Sequence, residues 1–190
     1  MTTWNDDARS RLARLLQTNS IKTGTFTLAS GKTSDIYCDV KKTDLTGEGA
    51  LLCGAGLHAL IKDASPNAHG AGGLTLGADP LVTAISIAAH LEGASLDAII
   101  VRKQPKDHGT KRPVEAPPTL PDDAVVVAVD DTITTGGSTL KAIDALREAG
   151  YTVEHAVCVV DRQEGGRENL SAAGVTMHAL FTLDELRQGL

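Results

Sequence analysis

The sequence predicts an α/β fold with a parallel central sheet flanked by helices, and three observations carry that expectation. Helical and extended patterns alternate from Gly47 onward, the order that produces a parallel sheet covered by helices. Ala124-Val125-Val126-Val127-Ala128-Val129 is continuously apolar and rich in β-branched residues, as a strand buried on both faces should be. Glycine is abundant at 19 residues while aromatics make up only 3% of the chain, a balance suited to tight strand-to-helix turns.

Each element follows from local pattern. Over residues 5–17, Ala8, Leu12, Leu15 and Leu16 share one helical face, and Asn5 or Asp6 can cap it. Phe26-Thr27-Leu28 and Ile36-Tyr37-Cys38 flank the turn-rich Ser30-Gly31-Lys32-Thr33-Ser34 and read as a hairpin or paired short strands in a small lobe. A helix over 48–61, a strand over 70–74, a helix over 80–91 and a strand over 96–101 follow. Residues 102–121, rich in charge, Gly and Pro, predict a mobile loop broken by at most a short strand. After the central strand come a helix over 138–149 with Gly150 at its C′ position and a strand over 153–160. A polar loop over 161–166, a helix near 167–172, a strand near 175–180 and a short final helix complete the chain.

Composition excludes several functional classes. A chain of 190 residues, 42% of them hydrophobic, can bury a full core and suits one domain. The net charge of −6 argues against a nucleic-acid surface, so any phosphate site must be local. Cys38, Cys53 and Cys158 are odd in number and far apart, which suggests neither a disulfide framework nor a zinc site; they read as buried thiols in a reducing compartment. Charges near the N-terminus and the lack of any long uncharged apolar stretch predict a soluble, cytoplasmic protein without a membrane segment.

The strongest chemical signal is Val125 to Thr139, VVVAVDDTITTGGST. Parallel sheets bind ligands beyond the carboxyl ends of their strands, where Asp130 and Asp131 are expected to emerge. Backbone N–H groups over Thr132, Ile133, Thr134, Thr135, Gly136 and Gly137, with the start of the next helix, make a concave anion site. Hydroxyls of Thr134, Thr135, Ser138 and Thr139 add donors, and the segment suits a phosphate monoester. Two carboxylates beside a phosphate site make sense when the ligand also carries hydroxyls, as ribose 5-phosphate does. No G-x-x-x-x-G-K-[ST] occurs, so a P-loop hydrolase is not supported.

This segment resembles the phosphoribosyl-pyrophosphate binding motif of the type I phosphoribosyltransferases, which implies their fold: a parallel sheet with flanking helices and a small N-terminal hood. Three further stretches resemble the orotate phosphoribosyltransferases in particular. Arg102-Lys103-Gln104-Pro105-Lys106-Asp107-His108-Gly109 is similar to their R-K-x-x-K-x-H-G loop. Phe26 to Gly31 and Ser34 to Asp39 are similar to their F-T-L-x-S-G and S-x-x-Y-x-D hood segments, and Asp161 to Gly165 to their D-R-x-E loop. Where many bacterial members carry lysines, this chain has Ala29 in the hood and reads Leu76-Gly77-Ala78-Asp79-Pro80 later on; Lys32, three positions from Ala29, is given no role.

The resemblance implies one phosphoribosyltransferase domain over 1–190, with residues 1–45 as opening helix and hood and 103–113 as a mobile catalytic loop. It implies phosphoribosyl-pyrophosphate binding by Arg102, Lys103, Lys106, His108 and Asp130 to Ser138, with Lys106 and His108 catalytic. Orotate is expected on Thr134, Arg162 and Tyr37, although Arg162 could equally be a surface partner of Glu164. The chemistry suits these residues: cations neutralise a departing pyrophosphate, and arginine pairs bidentately with a carboxylate. Magnesium is expected on the substrate phosphates rather than on a protein cage. A two-fold homodimer is implied, each subunit lending its 103–113 loop to its neighbour's site. A purine phosphoribosyltransferase and a phosphoribosyl-pyrophosphate-sensing regulator are the alternatives, opposed by the loops just named and by the net acidity.

Overall fold

The structure is a computed structural model, and it describes residues 3–27, 33–103 and 113–188. A first helix, α1 (Asp6–Leu15), is capped by the Asn5 side chain, which accepts from the Ala8 amide at 2.9 Å; it runs into a π-helical turn over Leu16–Ser20. The strands β1 (Ile21–Thr27) and β2 (Thr33–Cys38) pair antiparallel as a separate two-stranded sheet, the paired short strands expected on either side of the turn-rich Ser30 to Ser34. A short helix that the sequence analysis lacked, α2 (Lys41–Asp44), then leads into α3 (Gly47–Ala64).

The central sheet is laid down by β3 (Gly70–Leu74), β4 (Asp97–Val101), β5 (Val114–Glu115), β6 (Val126–Ile133), β7 (His155–Asp161) and β8 (Thr176–Thr182). Its order is β5-β4-β3-β6-β7-β8, parallel throughout except for the two-residue edge strand β5, which runs antiparallel to β4. The connecting helices are α4 (Asp79–Leu91), α5 (Gly137–Glu148) and α6 (Gly166–Ala172), with α7 (Leu183–Arg187) last. Chain order reverses between β3 and β6, and the gap outside the carboxyl ends of those strands is where such sheets bind ligands.

Burial confirms that β6 is covered on both faces. Val127 and Val129 join Val157 and Val159 in a core with Leu12, Leu52, Leu57, Leu81 and Ile85 from α1, α3 and α4. Val126 and Ala128 face the other way, into a core with Ile99, Cys158 and the α5 residues Ala142, Ile143 and Leu146. One difference from the sequence reading matters for the site. The central strand does not stop at Val129 but continues to Ile133, so Asp130 to Ile133 are strand residues still hydrogen-bonded in register with Cys158 to Asp161. The apolar run ends where the ligand-facing edge begins, and the backbone ladder does not end with it. Gly150 sits at φ 104° just past α5, as its C′ placement requires. Among the described residues no helix is long and apolar enough to cross a membrane.

Leu146 is fully buried between α5 and the sheet. Leu146→Ala is therefore expected to lower unfolding free energy by about 2–4 kcal/mol, read as a reduced urea midpoint with an unchanged far-UV spectrum. A midpoint equal to that of the unmodified chain would mean that α5 does not rest on the sheet through this residue.

Candidate active site

The turn between β6 and α5 forms the segment expected to hold an anion. Gly136, at φ 80°, takes the left-handed conformation that turns the chain from strand to helix, which a side chain would oppose. The first turn of α5 leaves its amides without intrahelical partners, and they face a cavity of about 310 Å³. Asp130, the run Thr132 to Thr139 and Lys141 line that cavity. The neighbouring segment braces the turn: Asn169 donates to the Thr135 carbonyl at 2.9 Å, and Gly166 lies against Thr134 and Gly136.

Two groups within this run already have partners inside the protein. The Thr132 amide donates to Asp131 Oδ1 at 2.8 Å. The Thr139 hydroxyl is buried and donates to Asp130 Oδ2 at 2.8 Å, so it supports the acid. Ile133 is buried in the core, so its backbone carbonyl is what it offers, and that accepts from the Arg162 amide at 2.9 Å.

Asp130 and Asp131 are both buried, and their surroundings divide them. Asp130 accepts from Thr139 and from the Asp131 amide; burial, reinforced by the neighbouring Asp131 charge, pushes its carboxyl up to about 7. Asp131 Oδ2 lies 2.8 Å from the Lys41 ammonium, which also stands 3.1 Å from Asp39. Burial disfavours the Lys41 charge, but hydrogen bonds and attraction from Asp131 and Asp39 together outweigh it and hold its pKa above the ordinary lysine value. Behind them Asp44 is buried with both oxygens lacking a hydrogen-bond partner, and burial followed by the Asp131 charge pushes its carboxyl up to about 7.

The remaining candidates are placed around this centre. Arg162, one residue beyond β7, is 9% exposed in its side chain and pairs with Glu164 at 2.8 Å, while its Nε has no hydrogen-bond partner. Its loop is held by Asp161, which accepts from the Gln163 amide at 2.8 Å and lies 3.3 Å from Arg167. Tyr37 is exposed on β2, its ring 5.6 Å from that of Phe26. Arg102 pairs with Glu115 at 3.0 Å, and Lys103 is exposed at the edge of the described segment. Neither of these two, nor Asp131, Arg162 or Tyr37, lines the phosphate cavity itself. Lys106 and His108, and most of the loop over 103–113, lie outside the described residues, as do Ala29 and Lys32. Cys53 and Cys158 are buried as expected, whereas Cys38 is only half-buried; burial still pushes its thiol up to about 11.

Sequence reasoning missed Lys41, Asp44 and Lys141. Lys141 follows the phosphate motif by two positions, and its place one turn into the helix could have flagged it. Lys41 left no comparable signal, because its partner Asp131 lies 90 residues away, and neither did Asp44, whose buried oxygens have no hydrogen-bond partner.

Comparison with known proteins sets the class first. The family model described as the phosphoribosyl transferase domain matches residues 79–177, from the start of α4 into β8. The chain is 44% identical to the orotate phosphoribosyltransferase of Thermosynechococcus vestitus over 95% of this chain and 93% of that protein. It superposes with a TM-score of 0.78 on the orotate phosphoribosyltransferase of Mycobacterium tuberculosis in complex with 5-phospho-alpha-D-ribosyl 1-diphosphate, at 33% identity over 96% of this chain and 99% of the other. An adenine phosphoribosyltransferase from Leishmania tarentolae, at 18% identity and a TM-score of 0.61 over 91% of this chain and 88% of that one, shares the fold. The chain belongs to the orotate phosphoribosyltransferase family of the phosphoribosyltransferases.

Asp44 yields a stability prediction with a defined sign. Its carboxyl titrates higher when folded, about 7, than its ordinary 3.8, so its contribution is fully present below about pH 4 and is lost as pH rises through 7. Asp44→Asn should remove that loss, raising stability by on the order of 2 kcal/mol above pH 7 and by progressively less toward pH 4. Urea unfolding at pH 8 and pH 4.5 measures the difference. An equal effect at the two values would show that Asp44 keeps an ordinary carboxyl.

Proposed function

We propose that this chain transfers the ribose 5-phosphate group of 5-phosphoribosyl 1-pyrophosphate to orotate, giving orotidine 5′-monophosphate and pyrophosphate in pyrimidine (UMP) biosynthesis. The observation that carries this reading is the adjacency of the acid pair, the phosphate turn and Arg162 on neighbouring strand ends. In it the 5-phosphate rests on Thr134, Thr135, Gly136, Gly137 and Ser138, and the ribose hydroxyls donate to the Asp130 and Asp131 pair. The orotate carboxylate takes the place of Glu164 beside Arg162, whose unpartnered Nε adds a donor, and Tyr37 walls the ring from the hood. Arg102, Lys103, Lys106 and His108 neutralise the departing pyrophosphate. Cleavage at C1 builds positive charge on the ribose ring, so positioning and electrostatics supply the rate and no covalent nucleophile is needed.

Magnesium enters this reading with the donor. Thr139 and Lys41 already engage Asp130 and Asp131, and the described residues hold no group of three His, Cys, Asp or Glu suited to a metal. That donor set fits an ion resting on pyrophosphate oxygens and water, where it would offset the leaving group's charge. A two-fold homodimer with the 103–113 loop exchanged between sites belongs to the same reading. Ile87 and Leu91, four apart on α4, and Leu51 on the adjoining α3 present apolar side chains that a second copy would cover. A cytoplasmic setting goes with it, the three cysteines being free thiols.

Purified protein with orotate, phosphoribosyl pyrophosphate and Mg²⁺ should consume the orotate absorbance, whereas adenine or hypoxanthine should give no product. Donor binding without turnover of any base would point to a sensor instead. Arg162→Ala should weaken orotate binding by at least tenfold, within the ~3–5 kcal/mol cost of breaking a buried charge pair, and leave donor binding nearly unchanged. An equal loss of both ligands would remove Arg162 from the orotate site. A Lys106→Ala chain and an Asp130→Asn, Asp131→Asn chain should each be inactive, yet recover part of the activity when refolded together. Continued inactivity despite proven subunit exchange would show that each loop serves its own chain.

A further inference from the structure

Asp131 is enclosed by groups from five parts of the chain. Its own strand places Asp130 on one side and uses Oδ1 for the Thr132 amide. The loop after β3 approaches with bare backbone at Gly77, where a Cβ would fall 3.0 Å from Oδ1. The hood segment supplies Cys38 and Asp39, and α2 supplies Asp44 and Lys41. Arg162 faces Cys38 from the end of β7. Around Asp131 there are thus three further carboxyls, Asp39, Asp44 and Asp130, and the cation in hydrogen-bonding contact with it is Lys41 at 2.8 Å. Lys41 is 42% exposed in its side chain, so it reaches the acid from the solvent side and is not locked in the core.

We propose that Lys41 is a positioning residue of the ribose subsite: its ammonium, 2.8 Å from Asp131 Oδ2, holds that carboxylate in place as the acceptor for a ribose hydroxyl, while the Thr139 hydroxyl holds Asp130. This rests on the phosphoribosyl reading above and assigns the two acids different supports within it. The physical reason is that adjacent carboxylates in a buried site cannot both ionise cheaply, so each needs a group that holds it. The upward displacement of Asp130 agrees with that cost. Without Lys41, Asp131 loses the cation that fixes it, and with it its advantage as an acceptor for a ribose hydroxyl. Because Lys41 lies three residues beyond β2, the same segment that carries Tyr37 also sets the state of the donor subsite.

The test is calorimetric binding of phosphoribosyl pyrophosphate with Mg²⁺ between pH 6 and 9, on the full chain. Lys41→Met should bind the donor at least tenfold more weakly at pH 6.5 and recover much of that loss by pH 9. Lys41→Arg should stay within threefold of the unmodified chain throughout. In an Asp131→Asn background Lys41→Met should have no further effect, since its action runs through Asp131. If Lys41→Met folds poorly, Lys41→Gln is measured in its place and read in the same way. Donor affinity unchanged by loss of the ammonium, or a loss that is independent of pH and additive with Asp131→Asn, overturns the assignment. Failure of the unmodified chain to bind the donor would overturn the phosphoribosyl reading itself and Lys41's role with it.

Discussion

Two carboxylates held side by side at the end of a buried strand are the constraint on which the rest of this site depends. Burial and the neighbouring Asp131 charge both raise the cost of ionising Asp130. The fold supports the two acids differently. The hydroxyl of Thr139, brought back by the first turn of α5, serves Asp130, while an ammonium from α2 serves Asp131. The position of α5 is therefore tied to the acids as well as to the phosphate turn, and the hood is tied to the sheet through a charge pair as well as through packing.

Strand order explains why these parts meet. The reversal between β3 and β6 opens a crevice at the carboxyl ends of both strands. The loop after β3 can approach Asp131 closely because Gly77 has no side chain, and β7 ends beside Ile133, which places Arg162 at the same edge. The D-R-x-E loop is then braced twice, by Asp161 accepting from its own turn and by Gly166 seated against the phosphate turn. The Arg162 side chain, 9% exposed, pairs with the more exposed Glu164 and leaves its Nε without a hydrogen-bond partner.

Much of the fold was legible because its signals are local. The β-branched run through Val129 required burial on both faces, and the two cores confirm it residue by residue, Val127 and Val129 on one side, Val126 and Ala128 on the other. Asn5 and Gly150 marked helix ends through chemistry that acts within a few residues. The strand end was misplaced by four residues because hydrophobicity stops at Val129 while backbone pairing with β7 continues to Ile133. The helix α2, only four residues long, has too little periodicity to read.

The sequence by itself determined the parallel α/β class, the phosphate turn from Thr134 to Ser138 and the presence of an acid pair ahead of it, since all three are written in contiguous residues. Only the tertiary structure decided how that pair is used. It turned Thr139 inward to Asp130, seated Asp44 unpartnered in the interior and set Lys41 against Asp131 across 90 positions of chain. Those choices depend on which loops the strand order brings to one edge, and an electrostatic contact between distant segments leaves no periodic trace in either of them.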